Sequence, residues 1–172
     1  RCSSTSATGS RSILVLASTW LAPSPDTTVA SINAKIARPD ERSDARERAL
    51  YLLYEAHSKG ISPSDALSLQ VLEPDELTVV LVTGVETHAA ELDAAIPAKA
   101  KGWTLERMPV LDLNVLRLAA FELSERSEVP VAVVLDEAVK LAKRFSTDDS
   151  GKFVNGVLAA LSKELRPDDP LR

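Results

Sequence analysis

Cysteine, glycine and aromatic residues are scarce in this chain of 172 residues. A single cysteine, Cys2, excludes an internal disulfide framework and a zinc site built from cysteines. Aromatic residues make up 4% of the sequence and there are 6 glycines, while Ala, Leu and Val dominate, which favours helices over sheets. No apolar run approaches the roughly 18 residues of a membrane-spanning helix. We therefore expect an all-α, cytoplasmic protein that does not enter a membrane.

The charge balance is acidic. Lys and Arg total 20 against 25 Asp and Glu, so the formal net charge is −5. A chain of this charge is not an obvious lone binder of nucleic acid, because phosphate groups repel it. Nucleic-acid binding would require a local basic patch or a basic partner.

Residues 1–40 differ in composition from the remainder of the chain. They are rich in Ser, Thr, Pro and Ala, and their only acidic residues are Asp26 and Asp40. This composition predicts a disordered extension or a mis-assigned translation start, with an organelle transit peptide and a secretory signal as alternatives. The predicted folded domain is 41–172.

Helical signals follow one another from Asp44 onward. Residues 44–47 form a capping box that predicts the start of the first helix, and Gly60 suits its end. Pro63 predicts a second start, and residues 73–76 open a third helix with apolar spacing as far as Ile96. We expect Pro97 to kink or end that helix.

The second half of the chain predicts three further helices. Trp103 and Thr104 suit a hydrophobic staple and an N-cap, and residues 110–123 are apolar on more than one face, as in a buried central helix. Residues 131–145 and 153–165 show helical periodicity. The expected architecture is a compact bundle of six or seven helices.

Catalytic chemistry is not apparent in the sequence. The two histidines, His57 and His88, stand apart from any cluster of metal ligands, and phosphate-binding glycine loops and nucleophile elbows are absent. Asp148 and Asp149 precede a helix, where carboxylates favourably cap its N-terminus. We predict neither an enzyme nor a cofactor or metal site.

Positive charge is instead concentrated at helix ends. Lys140, Lys143 and Arg144 close the helix over 131–145, and Lys152 adjoins Phe153 at the start of the last helix. A lysine and an aromatic ring at a helix N-terminus suit phosphate contact and base stacking.

Several segments together resemble the NusB family of bacterial transcription antitermination factors. They are ARERALYLLYE at 45–55, WTLERMPVLD at 103–112 followed by VLR at 115–117, FEL at 121–123, DEAV at 136–139 and DDSGKFVNGVL at 148–158. The resemblance covers residues 42 to 166 and preserves the order and spacing of the segments.

This resemblance implies a fold of two small helical bundles and a function in RNA binding. NusB proteins bind boxA, a single-stranded element of ribosomal RNA transcripts, as a heterodimer with the small-subunit ribosomal protein S-ten (NusE). The complex joins RNA polymerase with other Nus factors and suppresses termination. Catalysis is not involved, and self-association as a homodimer occurs in some members.

The resemblance also implies two sets of functional residues. The expected RNA-binding residues are Arg42, Arg46, Tyr54, Asp149, Lys152 and Phe153. The expected NusE-binding residues are Asp112, Arg117 and Glu122.

One departure from the family pattern concerns the RNA contacts. The family has successive arginines before Ala45, whereas residues 41–44 here read ERSD. A protein-protein adaptor with the same fold and little RNA binding is therefore the main alternative. A second is the NusB-like module of an RNA cytosine methyltransferase, which would require a following catalytic domain.

Overall fold

Helices account for most of residues 39–169, which are the residues that this computed structural model describes. This part of the chain contains seven α-helices, one 3-10 helix (Leu105–Arg107) and no strand, so the predicted all-α architecture is confirmed. The α-helices are α1 (Pro39–Lys59), α2 (Pro63–Ser68), α3 (Glu76–Thr87), α4 (Ala89–Lys99), α5 (Val110–Glu125), α6 (Val131–Phe145) and α7 (Ser150–Leu165). The extension was predicted over residues 1–40, and residues 1–38 of it lie outside the described part of the chain.

Local capping chemistry sets the boundaries between the first three helices. Gly60, which directly follows α1, has a positive φ of 64°. This backbone conformation favours glycine and is common at the C-terminal end of a helix. Ser62 accepts a hydrogen bond from the backbone N–H of Asp65 at the start of α2. Asp75 accepts one from the N–H of Thr78 at the start of α3. These contacts satisfy backbone donors that the first helical turn leaves without partners.

The predicted start of the first helix is wrong. Helix α1 begins five residues earlier, at Pro39. A proline is well accommodated in the first turn of a helix. Asp44 therefore lies inside the helix and is not its cap. Glu47 binds Arg144 on α6 through its side chain.

The predicted helix ending at Ile96 is divided in two at His88. The His88 backbone departs from helical geometry, with φ −99° and ψ 13°, and its Nδ1 lies 2.9 Å from the carbonyl oxygen of Gly84. The apolar spacing continues across the break because α3 and α4 both pack on α5. Pro97 lies within α4 and does not end it.

Helix α5 is the central element of the described fold. Ten of its sixteen residues are buried, so it has apolar contacts on several faces. Helices α1, α2 and α3 pack on one another, α5, α6 and α7 pack on one another, and α5 also contacts α1, α3 and α4. One continuous hydrophobic cluster joins these groups.

Arg166, just after α7, binds the C-terminal end of α5. Its guanidinium donates hydrogen bonds to four backbone carbonyls. These are the carbonyls of Glu122, Leu123, Arg126 and Val129. The carbonyls of Glu122 and Arg126 also accept backbone hydrogen bonds, from the N–H groups of Arg126 and Val129. A cation at this position ties the end of α5 to the segment that follows it and is favourable to the helix dipole.

Two helical glycines differ in the space around them, and this difference predicts opposite effects of substitution. A Cβ on Gly84 would overlap the buried Phe121 ring, whereas nothing lies within 4 Å of a Cβ on Gly156. We expect Gly84→Ala to lower the free energy of unfolding by about 1–3 kcal/mol. Gly156→Ala should raise it by about 0.5–1 kcal/mol, since alanine restricts the unfolded chain. Urea unfolding followed by circular dichroism measures both, and a stabilising Gly84→Ala would contradict the close packing of α3 on α5.

Candidate nucleic-acid interface

The turn between α6 and α7 presents charged side chains to solvent. The Lys152 side chain is 86% exposed and that of Asp149 is 93% exposed. Lys152 Nζ lies 3.6 Å from Asp149 Oδ1, so the carboxylate partly offsets the lysine charge. Both residues lie at the N-terminal end of α7, where the helix dipole favours an anion.

Aromatic rings lie beside these charges. Phe153 packs on the edge of the hydrophobic core and contacts Trp103, with ring centroids 5.3 Å apart and an interplanar angle of 48°. The sequence predicted Trp103 as a staple for the next helix. Thr104 makes no side-chain capping bond to the 3-10 helix, and Trp103 packs against α7.

A second aromatic pair lies where α1 meets the end of α6. Tyr51 packs edge-on against Phe145 with ring centroids 5.3 Å apart, and the Arg144 guanidinium lies 5.0 Å from the centroid of the Phe145 ring. Arg144 also binds Glu47 at 2.6 Å. Tyr54 follows Tyr51 by one helical turn and is 44% exposed.

We refer to these side chains as the aromatic–basic surface. It comprises Tyr51, Tyr54, Arg144, Phe145, Lys152 and Phe153. Three of them (Tyr54, Lys152 and Phe153) were predicted as RNA-binding residues from the sequence. Tyr51 and Phe145 were not, because only the packing of α1 on α6 brings them together.

A buried polar network lies beneath the turn. Ser150 donates a hydrogen bond of 2.8 Å to Oδ2 of Asp112, and its hydroxyl oxygen accepts one of 3.2 Å from the backbone N–H of Thr147. Asp112 is 3% exposed, and its Oδ1 has no hydrogen-bond partner among the described residues. Asp112, expected at the NusE interface, therefore anchors the turn from inside.

Arg46 and Glu122 are buried and paired with each other. The Arg46 guanidinium donates two hydrogen bonds to the Glu122 carboxylate, at 2.8 and 2.9 Å, and the two side chains are 6% and 3% exposed. Arg46 was expected to contact RNA and Glu122 to contact NusE. In this structure both side chains are buried where α1 packs on α5, and each neutralises the charge of the other. Arg42, one turn before Arg46, is half-buried.

Glu137 on α6 extends this ion pair. It lies 3.9 Å from Arg46, accepts a hydrogen bond of 2.5 Å from Ser43 and binds Lys140 at 2.9 Å. Burial acts to raise the pKa of Glu137, but the hydrogen bonds from Ser43 and Lys140 and the charges of Lys140 and Arg46 together lower it below its usual value. The ionised carboxylate thus links α1 to α6.

Arg117 occupies a different face of α5. It forms two hydrogen bonds of 2.7 Å with Asp93 on α4, and its side chain is 23% exposed. Phe121 and Glu125 follow at four-residue intervals and share this face. Both line an open groove of about 280 Å³ between α3 and α5, beside Val80 and His88.

Residues 39–169 contain neither a cluster of metal ligands nor a helix that could span a membrane. No three His, Cys, Asp or Glu side chains there are grouped as metal ligands. No helix in the same stretch has the length and apolarity needed to cross a membrane.

Comparison with known proteins assigns the chain to a family. The NusB family model matches residues 43–163. The NusB transcription antitermination protein of Acidothermus cellulolyticus is 51% identical over 124 residues, which cover 70% of this chain and 86% of the relative. That of Streptomyces avermitilis is 46% identical over 135 residues, 73% of this chain and 93% of the relative. The chain belongs to the NusB family.

Solved NusB structures share its fold. T. maritima NusB is 30% identical, with a TM-score of 0.64 over 72% of this chain and 91% of that one. A crystal structure of the antitermination factors NusB and NusE in complex with dsRNA contains a chain 27% identical, with a TM-score of 0.64 over 74% of this chain and 99% of that one. The sequence-based identification of the NusB family is confirmed.

Arg46 forms a buried ion pair and Arg48 an exposed one, so substitutions at the two positions of this NusB-family chain should differ in their effect on stability. Arg46→Met would leave Glu122 as an uncompensated buried charge, so we expect a loss of about 3–5 kcal/mol in the free energy of unfolding. Arg48→Met removes an exposed ion pair with Asp75, whose atoms are 3.7 Å apart, and should cost less than about 1 kcal/mol. Urea denaturation of both variants provides the measurement. If the two variants lost equal amounts of stability, the buried ion pair would contribute no more to the fold than the exposed one.

Proposed function

We propose that this chain is a transcription antitermination factor that binds boxA-type single-stranded RNA of ribosomal RNA transcripts together with ribosomal protein S-ten (NusE). It would act in the cytoplasm by binding, without catalysis, and would support ribosomal RNA transcription by RNA polymerase with other Nus factors. The aromatic–basic surface is the observation that carries this proposal.

The chemistry of that surface suits single-stranded RNA. Unpaired bases stack on aromatic side chains, while lysine and arginine contact the phosphates between them. Phe153 and Tyr54 offer rings, and Lys152 and Arg144 offer cations. Arg42 would add charge near the start of α1, whereas Arg46 supports the surface from below through its ion pair with Glu122.

A basic partner would compensate for the acidic charge of the chain. With a net charge of −5, the chain alone attracts phosphate weakly, and a ribosomal protein would supply positive charge. We place the NusE contact on the face of α5 that carries Arg117 and borders the groove lined by Phe121 and Glu125. The solved complex of NusB and NusE with dsRNA supports this pairing at the level of the family.

An RNA titration with the full chain tests the proposal. A boxA RNA and a scrambled RNA of equal length are titrated with and without purified NusE, at two salt concentrations. We expect tighter binding to boxA when NusE is present, and weaker binding at high salt because phosphate contacts release counterions. If the folded chain binds NusE but discriminates between the RNAs in neither condition, the adaptor function is correct and the RNA function is not.

Asp149 provides a charge-specific prediction. Its carboxylate would repel RNA phosphates and lies near Lys152, so Asp149→Asn should tighten boxA binding about twofold to fivefold at low salt. The gain should shrink at high salt, where exposed charges are screened.

Asp168→Asn is the matched control for Asp149→Asn. Asp168 is exposed and adjoins Asp169, which binds the N-terminal end of α6, the end of that helix away from the proposed RNA surface. The Asp168→Asn substitution changes the net charge by the same amount as Asp149→Asn. Equal affinity gains in the two variants would indicate a global charge effect, and an unchanged or weaker Asp149→Asn titration would exclude a contact at this turn.

A further inference from the structure

Trp103 is the one large aromatic side chain beside the aromatic–basic surface that the proposed function leaves unused. Trp103 is 42% exposed, although its ring contacts Phe153. We propose that Trp103 stacks on an unpaired base of the bound RNA and so extends the base-binding surface of Phe153 by one ring. This inference rests on the proposed RNA-binding function and adds a residue and a subsite to it.

The two rings of the pair have different surroundings. Phe153 is half-buried and packs against the hydrophobic core from α7. Trp103 lies outside that core and covers Phe153 on its outer side. An indole that served only as packing would place more of its large apolar surface out of water. The exposed part of Trp103 is therefore available to a ligand.

The backbone that carries Trp103 is anchored on both sides. Gly102 adopts a φ of 78°, and the N–H of Trp103 donates a hydrogen bond of 3.0 Å to the carbonyl of Ala100. Ala100 and Met108, on either side of this segment, are 2% and 5% exposed and belong to the core. A ring on an anchored backbone loses less conformational entropy when a base stacks on it than a ring on an unstructured segment.

The charges along this segment favour an anionic ligand. Lys101 and Arg107 lie two and four residues from Trp103 in the sequence, are exposed, and form no ion pair within residues 39–169. Lys99 differs, because it pairs with Glu164 on α7. Glu106 is also exposed and opposes this charge in part. Unpaired cations in the same segment as an exposed aromatic residue suit single-stranded RNA, whose phosphates would contact the cations and whose base would stack on the ring.

Tryptophan fluorescence tests the contact directly. The chain contains two tryptophans, so Trp20→Phe leaves Trp103 as its single indole. We expect the emission of Trp103 to fall as boxA RNA is titrated into the complex of this variant with NusE. The same titration with Trp20→Phe/Trp103→Phe subtracts any signal from NusE. Emission unchanged at RNA saturation would overturn the proposal.

Affinity provides the second test. Trp103→Leu keeps an apolar cover on Phe153 but removes the stacking face, and boxA affinity should fall about fivefold to a hundredfold. Trp103→Phe should retain part of that affinity. Val71→Ala is the control, because Val71 is 99% exposed on the segment between α2 and α3. Thermal melting and NusE binding of each variant show whether the fold and the partner interface are intact.

The outcomes separate this inference from the proposed function. If Phe153→Leu weakens RNA binding and Trp103→Leu does not, the surface binds RNA but Trp103 is not part of it. If Trp103→Leu weakens NusE binding and leaves RNA affinity unchanged, the indole contacts protein and the proposal is wrong. If the unmodified chain with NusE binds no boxA RNA, the proposed function itself fails, and that result is visible before any variant is made.

Discussion

The buried ion pair between Arg46 and Glu122 is the contact on which the arrangement of α1 depends. It joins the first helix to the central helix, and Glu137 extends it to α6. A buried charge is tolerable only when its partner is present and correctly oriented, so the pair restricts how α1 can rotate and slide on α5. The positions of Tyr51 and Tyr54, on the outward side of the same helix, follow from that restriction.

A second buried contact performs the same role for the turn between α6 and α7. Asp112 holds Ser150 from inside, while Asp149, Lys152 and Phe153 lie within three residues of that hydroxyl. Both sets of buried polar contacts therefore begin on α5 and support exposed side chains on other helices. In this chain, the buried polar groups that fix the geometry are therefore distinct from the exposed polar groups at the turn.

The sequence predicted the helices more completely than the site. Proline, glycine and short polar caps act over one turn, which is why the starts of α2 and α3 and the end of α1 could be predicted. Arg46 and Arg48 are alike in sequence, and only the packing of α1 on α5 buries one and exposes the other. Asp112 and Glu122 were assigned to a surface for the same reason. Trp103 was interpreted from its neighbour Thr104, whereas its contact, Phe153, lies fifty residues away.

The contact made by Arg166 has a consequence for the order in which the chain folds during synthesis. Four carbonyls at and just after the end of α5 accept hydrogen bonds from a side chain that is translated about forty residues later. The central helix can form early, but its C-terminal end gains this partner only after α7 has left the ribosome. Completion of the bundle is therefore coupled to a residue beyond position 163, where the match to the family model ends. A domain boundary drawn at that match would remove Arg166 and its four hydrogen bonds to these carbonyls.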